Sequence, residues 1–201
     1  MKMSSPPRSR GRPRAFNVDK ALDQATRVFW KKGYEATSMP DLTRAMGINR
    51  PSLYAAFGNK ESLFRKAVER YFQQGSSRIL EAMALPTARA AVEALLRGNL
   101  SNCVPGKQRG CLLVQGSLCG GEESEPVRRE LVSRRAAIEA ILRERFERAL
   151  AEGERLPTDD AAALARYVAT VSHGLAVQSA GGASREQLLP VVELALRPWS
   201  A

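Results

Sequence analysis

Thr37-Ser38-Met39-Pro40-Asp41-Leu42-Thr43-Arg44-Ala45-Met46-Gly47-Ile48-Asn49-Arg50-Pro51-Ser52-Leu53-Tyr54-Ala55-Ala56-Phe57-Gly58-Asn59-Lys60 reads as two short helices and the turn between them. Ser38 can accept a hydrogen bond from the free backbone of a first turn. Pro40 is tolerated in that turn, and Asp41 stands three residues past the cap, where a carboxylate reaches back to unpaired amides. Leu42, Ala45 and Met46 make an apolar stripe at helical spacing, and Gly47 supplies the left-handed residue that ends a helix. After the single apolar residue Ile48, Asn49 caps a second helix, Arg50 to Phe57, which Gly58 terminates. Two short helices joined by a tight Gly-containing turn form a helix-turn-helix, whose second helix enters the DNA major groove with its N-terminal residues at base edges.

Those residues here are Arg50, Pro51 and Ser52. Arg50 can offer a two-pronged donor to guanine, Ser52 can donate or accept, and Pro51 can make only apolar contact, for instance with a thymine methyl. Leu53 and Phe57, four apart, are expected in the core, whereas Tyr54 falls on another face with its hydroxyl free for a phosphate oxygen. Asn59 caps the next helix and places Lys60 and several unpaired amides at a positive helix end suited to a second phosphate. The expected DNA-contacting set in this stretch is Thr37, Ser38, Arg44, Asn49, Arg50, Pro51, Ser52, Tyr54 and Lys60.

This run resembles the DNA-binding domain of TetR-type transcriptional regulators. Thr37, Gly47, Leu53, Tyr54, Phe57, Lys60, Glu61 and Leu63 fall in register with that family's pattern. Thr43 stands where Ala is usual, Asn49 where Ser or Thr is usual, and Pro51 where a small flexible residue is common. The resemblance covers Phe16 to Tyr71. It implies an all-α protein with an N-terminal three-helix DNA-binding domain and a larger α-helical effector-binding and dimerisation domain. The corresponding division is a basic arm over 1–15, the helix-turn-helix domain over 16–59 and the larger domain over 60–201.

Outward from this centre, the N-terminal side is basic. Up to Lys60 there are twelve Lys and Arg against four Asp and Glu, so about +8 of the formal net charge of +10 lies there. Such an end is the electrostatic footprint of phosphate binding, although charge alone fits RNA or an anionic membrane nearly as well. Within Arg8-Ser9-Arg10-Gly11-Arg12-Pro13-Arg14 two readings stand. One is a solvated tail; the other, favoured by its place before a helix-turn-helix, is an arm that inserts Arg10 and Arg12 into a narrow minor groove. From the cap Asn17, Leu22, Ala25, Val28 and Phe29 predict a first helix that stops at Lys31-Lys32-Gly33. Trp30 and Tyr34, near its end, are read as packing residues.

On the C-terminal side, Lys60 to about Leu80 predicts a connecting helix with Leu63, Phe64, Ala67, Val68, Tyr71 and Phe72 inward, so that movement at its far end would move the reading head. A helix over Thr87 to about Cys103 follows, broken by Val104 to Gly110. Cys111 to Cys119 is nearly all apolar and too short to span a membrane. Periodicity alone leaves strand and helix open there, and the helical company of the rest favours a short buried helix. Ser124 to about Gly153 predicts the longest helix, with Arg128, Arg129, Arg134, Arg135, Arg143, Arg145 and Arg148 on a solvated face among glutamates. Two further helices begin at Thr158 or Asp159 and at Ser184. Their apolar content exceeds what one small domain buries, and Ala165, Ala169, Gly174, Ala176 and Ala180 permit close approach, so they are assigned to a homodimer contact.

Function classes narrow accordingly. No apolar run reaches the about eighteen residues of a membrane span and the basic N-terminus has no apolar stretch behind it, which predicts a cytoplasmic protein without membrane contact. Cys103, Cys111 and Cys119 are an odd number and match no zinc spacing; they read as structural thiols, with oxidant or electrophile sensing as the alternative. An enzyme would need Cys119 or Cys111 as nucleophile with His173, the only histidine, as base, and no local signature surrounds them. No catalytic residue, metal or cofactor is therefore expected. The family resemblance implies a repressor of a palindromic double-stranded operator, released by an unidentified small-molecule effector. Gln115, Tyr167 and His173 are the candidate polar groups of its pocket.

Overall fold

The computed structural model describes residues 16–103, 110–115 and 124–199. Among them every regular element is helical: α1 (Val18–Lys32), α2 (Met39–Met46), α3 (Arg50–Phe57), α4 (Lys60–Met83), α5 (Ala88–Asn99), α6 (Leu112–Gln115), α7 (Glu125–Ala151), α8 (Ala161–Ala180) and α9 (Arg185–Leu196). The helix ends follow from local chemistry. Asn17, Ser38, Asn49, Asn59, Thr87, Asp160 and Ser184 each accept a backbone N–H of the turn that they cap. Ser38 and Asp41 complete the reciprocal capping box. Gly47 closes α2 at φ +66°, the left-handed region where a side chain is strained.

Two clusters of buried apolar side chains organise the molecule. The first joins α1, α2, α3 and the front of α4 through Phe29, Leu42, Leu53, Phe57 and Phe64. Phe29 and Phe64 meet edge-to-face at 4.9 Å, and Tyr34 packs on Phe64 at 5.0 Å. Arg70 of α4 clamps α1 from outside through Asp19 and Asp23. Leu112 and Leu113 of α6 and Val127 and Leu131 of α7 belong to this same cluster. The N-terminal helices are thus rooted in later parts of the chain, beyond residue 59.

The second cluster joins the end of α4, α5, the latter half of α7, α8 and α9, with Leu96, Leu142, Phe146, Leu164, Val168 and Val192 among its members. α7 traverses both clusters, and here the expectation of one solvated arginine face fails. Arg145 is only 3% exposed; its Nη2 donates to the carbonyls of Leu85 and Pro86 and to Glu154, all at 3.2 Å. Arg148 donates to the Met83 carbonyl at 2.9 Å. A helix covered by neighbours on several sides has no single wet face, so these two arginines hold the α4–α5 turn instead of water. The segment beginning at Cys111 is helical over Leu112–Gln115; Gly116 to Cys119 lie outside the described residues.

Candidate nucleic-acid interface and internal cavity

The α2–turn–α3 unit presents the N-terminal end of α3 outward. Leu53 and Phe57 are buried, while Arg50, Pro51 and Tyr54 are exposed and Ser52 is half-buried. The Asn49 side chain accepts the Ser52 N–H at 2.9 Å, which fixes how the chain enters the helix. Arg50 lies over the Tyr54 ring, its guanidinium carbon 6.0 Å from the centroid, and has no carboxylate partner among the described residues. Arg44 is exposed on α2.

Ser38 is exposed, but its hydroxyl is engaged with Asp41, whose second oxygen meets Lys32 Nζ at 2.8 Å. That lysine first, and the Ser38 amide and hydroxyl after it, hold the Asp41 carboxyl well below the usual carboxylate range. Thr37 is 1% exposed and its hydroxyl donates inward to the Gly33 carbonyl at 2.6 Å. It serves the α1–α2 corner, and in this conformation the hydroxyl does not face outward to a phosphate as the sequence suggests. Lys60, half-buried, donates from Nζ to the Glu35 carbonyl at 3.3 Å and sits 4.6 Å from the Tyr34 ring centre. Burial pushes its ammonium below the ordinary lysine value, partly offset by Glu35. Arg10 and Arg12 lie outside the described residues.

A cavity of about 190 Å³ lies between α4, α5, α7 and α8 and reaches the start of α6. Its walls are mostly apolar, with Phe72, Ile79, Leu95, Ile138 and Leu142 among them. The polar groups on it are Tyr71, Ser76, Arg78, Asn99, Cys111, Arg135, Ser172 and His173. Asn99 Nδ2 donates to Ser172 Oγ at 2.7 Å, and the Tyr71 hydroxyl donates to Cys111 Sγ at 3.5 Å. Burial, with Cys111 beside it, holds the Tyr71 hydroxyl well above its ordinary value, so it remains a protonated donor. Burial first and Arg135 second push His173 below the ordinary imidazole value, against a smaller opposite pull from Glu139.

Of the three pocket groups expected from the sequence, the structure brings only His173 to the cavity wall. Tyr167 is 42% exposed on the outer side of α8. Gln115 packs beside Gly110, whose positive φ and closeness to Ala176 and Ala180 leave no room for a Cβ. Cys111 lines the cavity, Cys103 is buried and donates to Ser179 Oγ at 3.1 Å, and Cys119 lies outside the described residues. Sequence reasoning missed Arg135, which it placed on the solvated face of α7. Its Nε is shut off from solvent with no acceptor among the described residues, an arrangement that costs about 1–3 kcal/mol or more for a charged group. The spacing that could have revealed it is Arg135, Ile138 and Leu142, three and then four apart.

No group of three potential metal ligands occurs among the described residues, and none of their helices is long and apolar enough to cross a membrane. The profile of "Bacterial regulatory proteins, tetR family" matches residues 21–67. The chain is 35% identical to the HTH-type transcriptional repressor ComR of Escherichia coli K12 over 96% of its own length and 93% of that protein's. It is 31% identical to the HTH-type transcriptional repressor BdcR of the same organism, over 92% and 90%. Among solved structures it resembles a cysteine-substituted form of the TetR family transcriptional regulator CifR in complex with 26-base-pair double-strand operator DNA. That likeness has a TM-score of 0.88 and 45% identity, covering 93% of this chain and 98% of that one.

Proposed function

The chain belongs to the tetR family of bacterial regulatory proteins and is a sequence-specific DNA-binding regulator of transcription; from that premise we propose that it is a homodimeric repressor released from a palindromic operator by a small molecule. The observation that carries the reading is the outward N-terminal end of α3, where Arg50 stands exposed, without a carboxylate partner among the described residues, beside Pro51 and half-buried Ser52. Arg50 and Ser52 read base edges. Tyr54, Arg44 and the capped N-termini at Ser38, Asn49 and Asn59 hold phosphates, joined by Lys60 and by Arg10 and Arg12 of the N-terminal arm. Arrangement over 16–59 and 60–201 gives a reading head and an effector-binding, dimerising body. Repression is supported by the two curated repressors that the chain resembles over nearly its whole length.

Dimerisation is supported by α8 and α9, which leave Tyr167, Val177, Val191 and Leu194 between 42% and 54% exposed. Release follows from the cavity's position. α4 begins at Lys60 against the head and supplies Tyr71, Phe72 and Ile79 to the cavity, while Leu113 of α6 belongs both to the cavity wall and to the head's core. A ligand that binds the DNA-incompetent arrangement more tightly than the competent one shifts the population toward release. A second reading, oxidant or electrophile sensing, rests on Cys111, the described thiol that faces the cavity. It predicts loss of operator binding in peroxide, reversal by thiol and loss of the response in Cys111→Ser.

Selection of bound duplexes from a random pool tests the principal reading. The expected result is a palindrome whose half-site centres lie about 34–36 Å apart, or a multiple of that distance, with affinity falling steeply in salt. Recovery of duplexes without any shared half-site would contradict it.

A further inference from the structure

We propose that the cavity between α4, α5, α7 and α8 takes a small, mostly apolar molecule bearing one carboxylate, anchored by Arg135. The inference rests on the reading of this cavity as the effector site and adds the chemistry of the effector. The charged side chains among the described lining residues are both cations, Arg78 and Arg135. Arg135 Nε is buried with no acceptor, and none of the described lining residues is an aspartate or glutamate. The neighbouring arginine on α7, Arg134, is by contrast bound to Glu69 and Glu130. Glu139, one turn beyond Arg135, is held by Arg166 at 2.9 Å and so does not neutralise it. Ser172 Oγ receives its hydrogen bond from Asn99, and its own O–H finds no acceptor among the described residues. Arg78, an exposed residue of α4, adds a second cation to the lining.

A neutral ligand would leave that guanidinium without a counter-charge, and a cationic one would meet it head-on. A carboxylate answers both the charge and the missing acceptor, since guanidinium–carboxylate hydrogen bonds are the strong, charge-assisted kind. Size follows from the volume. A cavity of about 150 Å³ holds benzene, so 190 Å³ suits one ring or a short alkyl chain with its carboxylate, about eight to ten heavy atoms. The apolar walls take the ring or chain, which disfavours an inorganic anion as occupant.

The test titrates the full-length protein with benzoate, phenylacetate and hexanoate and with their uncharged amides, by calorimetry. The imidazole C2–H resonance of His173, the only histidine in the chain, reports occupancy of this cavity by NMR. At least one carboxylate should bind about tenfold or more tightly than its amide and shift that resonance. Arg135→Gln should remove the preference, while Arg135→Lys, which keeps a cation, should retain part of it. Thermal unfolding of both variants identifies a folding defect. Amides binding as well as their acids, or a preference that survives in folded Arg135→Gln, would overturn the inference and leave the effector reading standing. A carboxylate that binds at His173 yet does not release a selected operator would support the anion site and overturn its role as effector site.

Discussion

At the scale of single residues, burial decides roles that residue type leaves open. His173 is held below its ordinary pKa near 6.5 by burial and by Arg135, so the folded protein resists protonating it while the unfolded chain does not. The stability this contributes is fully present above about pH 6.5 and is lost as pH falls below that value. NMR of the sole imidazole should show a midpoint below 6.5, and a midpoint above it would contradict the stated environment. Arg145 makes a second case. Removing it strands two carbonyls and Glu154 behind the α4–α5 turn, so Arg145→Ala should cost about 2–4 kcal/mol in chemical denaturation. A neutral effect would show that water replaces the guanidinium. Arg135 and Arg145 are misread on residue type, which does not show whether solvent or a neighbouring helix covers an arginine, although Ile138 and Leu142 stand at helical spacing from both. Thr37 was misplaced similarly, because its motif position does not show that its hydroxyl is taken by the Gly33 carbonyl.

At the scale of elements, the sequence was most legible where local chemistry governs. Asn17, Ser38, Asn49, Asn59 and Ser184 cap helices where expected, because a cap needs only the backbone of its own first turn. The α2–α3 turn depends on one left-handed residue. Gly47→Ala should therefore cost about 1–2 kcal/mol of stability in urea although nothing crowds the site, whereas an unchanged midpoint would mean the turn relaxes freely. Less legible was the partnership of distant elements. That α6 and the front of α7 complete the core under α1 depends on contacts of high sequence separation, which leave no periodic trace. The cavity has the same origin, since four helices each lend it a few residues and none carries a motif. Leu113 stands at the junction of the two; Leu113→Ala should destabilise by about 2–4 kcal/mol, measured by thermal unfolding.

At the scale of the whole molecule, the proposed function couples the helix-turn-helix, a cavity sharing walls with its core and a pair of helices with exposed apolar residues. If α8 and α9 make the dimer, Leu194→Arg should yield a monomer in sedimentation and weaken binding to a two-half-site duplex far more than to a single half-site. A dimer unaffected by that charge would place the contact elsewhere. The central claim is that α3 reads bases while its surroundings grip the backbone. The most direct test measures the affinities of wild type, Arg50→Ala and Lys60→Ala for a selected operator and its single-base variants across a salt series. Arg50→Ala should lose about 1–3 kcal/mol and become indifferent at one base-pair position in each half-site, while Lys60→Ala should weaken all sequences alike and reduce the salt slope by about one. Identical behaviour of the two substitutions across every variant, or affinity that ignores both sequence and salt, would contradict it.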